Sequence, residues 1–226
     1  MNRVHGIICF ETVVSNVLYS GVYKATTRNE DEKPRMSNGV ATKTGRKKRV
    51  TKAEWLSTAL NELERGGIEA VRVERLAELL SVARSGFYWH FKDRRDLQQH
   101  LLDYWLHEYT EVVTSNLALL LGEPRVRLER VMKMIDEHDL GRYDLAIRAW
   151  ARHDDLAKEV VERVTKTRLN FVRNLFKEMG FAGDELEMRT RLFVCYHSSE
   201  RGIFEDMSPR KRARLRKLRL ELLTRP

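Results

Sequence analysis

The segment SVARSGFYWHFKDRRDL, Ser81 to Leu97, concentrates side chains suited to one chemistry. A guanidinium forks onto the O6 and N7 of guanine, and a seryl hydroxyl donates or accepts at a base edge. Arg84 and Ser85 offer these two groups side by side. Gly86 carries no side chain, so a duplex backbone can approach closely there. The Tyr88 hydroxyl is a donor for a phosphate oxygen, and Arg94 falls in the first turn of a helix, where amides and dipole already draw an anion. Four rings, Phe87, Tyr88, Trp89 and Phe91, sit among Arg84, Lys92, Arg94 and Arg95. A buried segment would shed the charges and a solvated loop would shed the rings. A short helix pinned by Phe87 and Phe91, with Tyr88 and Trp89 turned toward a polyanion, uses both. Rings at helical spacing are more often core, and that reading is kept for Phe87 and Phe91.

Other chemistries find little support. No nucleophile elbow, phosphate loop or paired metal motif is present, so no enzyme activity, cofactor or metal is expected. His100, Asp103 and His107 share one helix face and come nearest to a metal set. Cys9 and Cys195 make neither a disulfide framework nor a metal pair, which points to a reducing, cytoplasmic compartment. No uncharged apolar run reaches the roughly 18 residues of a membrane span. The formal net charge of +9 favours a polyanion, either nucleic acid or an anionic membrane surface.

The elements that must position these groups are helical. In 226 residues there are only four prolines, and 42% of the chain is apolar. Residues 1–45 read as a leader and basic arm. Met36 offers a second start, so residues 1–35 are either a mis-assigned beginning or a disordered leader, while TKTGRKKR (Thr42 to Arg49) is either a solubilising tail or an arm for phosphates or the minor groove. Thr51 and Glu54 form a capping box, followed by Trp55, Leu56, Ala59, Leu60 and Leu63 at helical spacing, and Gly66-Gly67 ends that helix. Short helices follow over about 72–79 and 83–89. A long one begins at Asp93 and carries Leu97, Leu101, Trp105, Tyr109 and Val112 on one side. Further helices are expected over about 125–138, 142–152, 155–179, 184–206 (capped by Asp184) and from Ser208-Pro209 to 224. Leu215, Leu218 and Leu222 form the stripe expected to pack this last, very basic helix on the body.

The fold class is therefore all-α. A helix-turn-helix DNA-binding domain over 46–97 precedes a helical ligand-binding and dimerisation domain over 98–226. The few residues between the second and third helices give helix-turn-helix spacing, which lays the third helix in the major groove. At these residues, ERGGIEAVRVERLAELLSVARSGFYWHFKDRRDL resembles the TetR family of bacterial repressors, FYWHF being the most specific piece. The resemblance is close over about 51–97. Beyond that, the later helices match only in number and length. It implies phosphate contacts at Tyr88, His90 and Arg94, groove-facing Arg84, Ser85, Gly86 and Trp89, and a backbone contact at Thr51. The chain departs from the pattern where Arg72 and Ala83 replace the usual capping hydroxyls, and where Ser81 replaces a common turn glycine.

The resemblance also implies a homodimer on a palindromic operator, with an unidentified small-molecule effector releasing it. Leu192, Ser199, Gly202 and Ile203 are the candidate dimer residues, in a four-helix contact made by the last two helices of each chain. Trp105, Met132, Ile135, Trp150, Phe171 and Tyr196 are the candidate lining of an effector pocket. The alternative is a helical interaction or membrane-surface protein with a vestigial DNA-binding head.

Overall fold

The computed structural model describes residues 49–204 and 206–225, so the leader and all of the basic arm before Arg49 lie outside the described residues. Among the described residues there is no strand. Helix α1 (Lys52–Gly66) starts as its sequence requires: Thr51 Oγ1 accepts from the Glu54 amide, and the Glu54 carboxylate accepts from the Thr51 amide at 2.7 Å. Helix α2 (Val73–Leu79) follows. The third element, Arg84–Trp89, is a tight 3-10 helix rather than an α-helix, and neither it nor α2 has a side-chain cap. Arg72 and Ala83 at the two N-cap positions cannot provide one.

The turn between α2 and the 3-10 helix is built by the backbone. Ser81 sits at φ 56, with its amide donating to Glu78 and the Val82 amide donating to Ala77, both at 3.0 Å. That is a Schellman closure, in which glycine is the usual occupant of the left-handed position.

Helix α3 (Arg94–Leu106), capped by Asp93, runs through a wider π turn, His107–Glu111, into Val112–Thr114. Helices α4 (Pro124–His138), α5 (Asp144–Trp150), α6 (Asp155–Glu178), α7 (Gly183–Ile203) and α8 (Pro209–Thr224) complete the body. Two boundaries shift from expectation. Helix α7 begins at Gly183, so Asp184 lies in its first turn instead of capping it, and it ends at Ile203. On α8 the leucines that bury are Leu220 and Leu223, whereas Leu218 and Leu222 are 53% and 69% exposed. Two of the three leucines of the expected packing stripe thus point outward and Leu215 is half-buried, while Arg216 and Arg219 pair with Asp136 on α4.

Two apolar cores form. One joins Trp55, Leu60, Leu76, Phe87, Phe91 and Leu101 of the head to Tyr143, just before α5, and to Ile147, Trp150 and Val160 of α5 and α6. The other lies between α4, α6, α7 and α8, around Leu128, Met132, Leu175, Phe176 and Phe193. The expected division at 97/98 falls inside α3, which serves head and body together.

Candidate functional site

The 3-10 helix shows two opposite sides. Phe87 is fully buried and meets Trp55 edge-on at 5.7 Å and Phe91 at 5.1 Å. Tyr88 and Trp89 are 56% and 87% exposed. A 3-10 turn eclipses residues three apart, so one buried ring and its neighbours' outward positions follow from the same geometry. Ser85 and Arg84 are exposed, and Arg84 pairs with Glu74 of α2 at 2.8 Å. A methyl at Gly86 would come no nearer than 4.0 Å to the Trp55 ring, so the interior does not require glycine at that position.

Three further sequence candidates are already engaged. The Thr51 hydroxyl serves the α1 cap. The His90 ring Nε2 lies 2.9 Å from the Val50 carbonyl, tying the entry of α1 to the end of the 3-10 helix. Arg94 donates to the Ile68 carbonyl at 2.9 Å and to the Glu69 carboxylate at 3.3 Å, with 44% of its side chain exposed. Sequence reasoning missed Glu74 and Glu69, the acids that orient Arg84 and Arg94, since neither lies at a helical spacing from its partner. It also missed a groove where Arg49 and Val50 face Ser85 and Trp89. His100 bonds Lys52 at 2.9 Å and His107 pairs with Glu111 at 3.2 Å. No group of three metal-ligating side chains occurs among the described residues.

A strap, residues 139–143, joins head to body. Asp139, in the left-handed conformation at φ 52, takes a two-pronged bond from Arg201 at 2.5 and 2.6 Å. Arg142 forks onto Glu64 of α1 at 2.6 to 3.0 Å, and the Tyr143 hydroxyl donates to Asn61 at 2.8 Å. Arg95 and Asp154 add a second tie at 2.6 Å. Burial raises the Tyr143 and Tyr109 phenols above their ordinary range, so both stay neutral donors where their rings meet edge-on at 5.2 Å.

Behind the strap lies a cavity of about 40 Å³, lined by Val131, Ile135, Gly141, Phe171, Phe193 and His197 among others. Ile135 and Phe171 of the expected lining are there. Trp105, Met132, Trp150 and Tyr196 are not. Trp105 and Trp150 fill the head-side core, and the Arg168 guanidinium stands 5.6 Å over the Trp105 ring. Met132 is one position round α4 from Val131 and packs into the second core. Tyr196 is covered by Arg219 at 4.2 Å. Arg168 itself is held by Asp144, which is fully buried, together with Thr110, Ser198 and the Tyr109 carbonyl released by the π turn.

Of the expected dimer residues, Leu192 and Ile203 are 53% and 64% exposed, and Met188 (56%) and Cys195 share their face of α7. Ser199 bonds back to the Cys195 carbonyl at 2.6 Å. Gly202 is exposed as well, and a methyl there would meet Leu145 Cδ1 of α5 at 2.2 Å.

Residues 56–101 match the family model described as bacterial regulatory proteins, tetR family. No curated protein matches the chain. Among solved structures, a TetR-family transcriptional regulator from Rhodococcus sp. aligns with TM-score 0.55 at 18% identity, covering 76% of this chain and 95% of that one. The transcriptional regulator FadR from Bacillus subtilis, solved in complex with stearoyl-CoA, aligns with TM-score 0.55 at 15% identity over 76% and 97%. The fatty acid degradation regulator FadR from Bacillus halodurans aligns with TM-score 0.54 at 16% identity over 79% and 97%. These structures share the arrangement of a helix-turn-helix head on a helical body. Residues 56–101 are thus similar to the DNA-binding head of the tetR family of bacterial regulatory proteins, and the chain shares the fold of these solved regulators.

Proposed function

We propose that the protein is a homodimeric, cytoplasmic repressor that reads a palindromic operator and is released by a small apolar effector. The observation that carries this reading is the two-sided 3-10 helix, with Phe87 fully buried while Tyr88 and Trp89 stand in solvent. Rings left so exposed beside Arg84 suit a duplex, although Tyr88 also meets the Phe87 ring edge-on at 5.2 Å. Arg84 and Ser85 would read base edges, with Glu74 holding the guanidinium until guanine replaces it. Tyr88 and Arg94 would bind phosphate, and Trp89 would lie along the groove wall. Gly86 would let the backbone close on the duplex. His90 and Thr51 act mainly by fixing the entry of α1, given their bonds to Val50 and Glu54.

Met188, Leu192 and Ile203 of α7 and Leu218 and Leu222 of α8 are exposed apolar side chains on two helices. A second copy is the occupant favoured over a lipid surface, because across a two-fold axis the same patch of each chain meets its own image. Such a pair would set two reading helices about 34 Å apart, one turn of DNA. No helix of the described residues is long and apolar enough to cross a membrane.

The test is binding of the purified protein to its own promoter region, followed by footprinting. A salt-dependent, competitor-resistant footprint with two-fold symmetry is expected. Arg84→Ala should cost about 1–3 kcal/mol of binding and relax preference at one base position. Unchanged affinity in both Arg84→Ala and Tyr88→Phe would overturn the groove placement. Sedimentation with anionic vesicles in the absence of any footprint would favour the membrane-surface alternative.

A further inference from the structure

His197 lines the cavity behind the strap and has one ring nitrogen that the protein leaves unserved. His197, on α7, directs its ring Nδ1 to the Phe193 carbonyl at 2.8 Å. A carbonyl only accepts, so that nitrogen carries the hydrogen and Nε2 presents a bare lone pair. Nε2 is buried and has no hydrogen-bond partner. Leaving such an acceptor dry is costly, so something with a donor belongs beside it.

The rest of the lining narrows the chemistry. Aliphatic and aromatic carbon from Val131, Ile135, Phe171 and Phe193 makes most of the wall. The cation that lines the cavity, Arg168, has its donors spent on Asp144, Thr110, Ser198 and the Tyr109 carbonyl. Arg219 bonds Asp136 through Nη2 and covers the Tyr196 ring, its buried Nε has no partner, and it does not line the cavity. Burial, with Arg219 and Arg168 nearby, pushes the His197 imidazole down to about 3, so it stays a neutral acceptor at any physiological pH. A carboxylate placed here would face a lone pair, and the guanidinium that lines the cavity has no donor left for it.

We infer that the effector is a small, uncharged, mostly apolar molecule carrying one hydroxyl or N–H donor, which it gives to His197 Nε2. This deepens the proposed effector response and rests on it. At about 40 Å³ the cavity is water-sized. A ring-sized ligand must therefore push the wall apart. Gly141 of the strap forms part of that wall, against the His197 backbone.

The experiment uses the full-length dimer on labelled promoter DNA with three matched probes: 4-ethylphenol, 4-ethylanisole and 4-ethylbenzoate. Binding is followed by calorimetry and release by fluorescence anisotropy. The phenol should bind at least about tenfold more tightly than the anisole, which has the same body without the donor, and the benzoate should bind weakest. His197→Phe should bring the phenol down to the level of the anisole, while His197→Gln, which presents a carbonyl acceptor, should keep part of the preference. An anisole or benzoate that matches the phenol on the wild-type protein overturns the assigned chemistry while leaving the effector site standing. If no probe of any class binds, the effector reading falls and the assignment with it. Should His197→Phe fail to fold, the wild-type probe series alone decides.

Discussion

Two glycines face clashes of almost the same size, and only one should matter. A methyl at Gly141 would sit 2.0 Å from the His197 carbonyl oxygen and 3.2 Å from its carbon; a methyl at Gly202 would sit 2.2 Å from Leu145 Cδ1. The first obstacle is backbone in the middle of α7. The second is the tip of a side chain that is 38% exposed and free to turn away. To restore ordinary contact near 3.4 Å, Gly141→Ala must drive the strap back by about 1.4 Å. That movement pulls on the Asp139–Arg201, Arg142–Glu64 and Tyr143–Asn61 bonds together. Overpacking of a rigid interior costs about 1–3 kcal/mol, and the shared strain puts Gly141→Ala at the upper end. Gly202→Ala gains about 0.5–1 kcal/mol of helix preference, which offsets the turning of Leu145. Urea unfolding at fixed protomer concentration, followed by tryptophan fluorescence, should separate the two variants by about 2–3 kcal/mol. Gly141→Ala should also lose operator affinity, since α1 is anchored through the strap. A Gly141→Ala midpoint indistinguishable from wild type, or a Gly202→Ala that is equally damaged, would refute the reasoning.

Ser81→Gly removes a left-handed non-glycine residue and should stabilise by about 0.5–1 kcal/mol, less whatever the freer unfolded chain takes back; thermal melts would show it. Asp144→Asn leaves the Arg168 charge buried without its counterion and should cost about 3–5 kcal/mol in urea titrations. His197 gives a pH signature. Its folded imidazole stays neutral down to about pH 3, whereas the unfolded one takes a proton below about 6.5, so its contribution is complete above 6.5 and fades as the pH falls. Wild type should therefore lose about 1.4 kcal/mol per pH unit more than His197→Phe between pH 6 and 5, measured as the difference of their urea stabilities. Leu192→Glu combined with Ile203→Glu should yield monomers in sedimentation and abolish footprinting while leaving the helical circular dichroism unchanged.

The sequence was most legible where the signal was local. The Thr51–Glu54 box, the Asp93 cap, the Ser208-Pro209 start and the period of Trp55 to Leu63 each involve neighbours within one turn, and each reappears in the fold. Phe87 and Phe91 were legible as anchors because rings amid charges admit few arrangements. What escaped was set by distant partners. His90 looks like a free imidazole until Val50, forty residues earlier, offers it a carbonyl. On α8 two leucines of the more regular stripe turned outward, while Asp136, itself only 7% exposed, pairs with Arg216 and Arg219. Hydrophobic spacing gives a helix its apolar face but does not say whether that face meets its own chain or another. Gly202 shows the same ambiguity: small residues allow close approach, and here the approaching element is α5.

The head is not an independent unit hung on a sensor. Its core continues into Tyr143, Ile147, Trp150 and Val160, and Arg142 and Tyr143 grip α1 directly. Packed interiors yield by switching between discrete arrangements rather than by graded deformation. A molecule that widens the small cavity must move something among α4, α6, α7 and the strap. The helices are long and tied to one another by Asp136, Asp144 and their arginines. The strap is five residues that touch the cavity at Gly141 and the head at the next two positions. It gives the shortest path from the cavity to α1, so in the proposed effector response a ligand that parts the wall at Gly141 would displace the head.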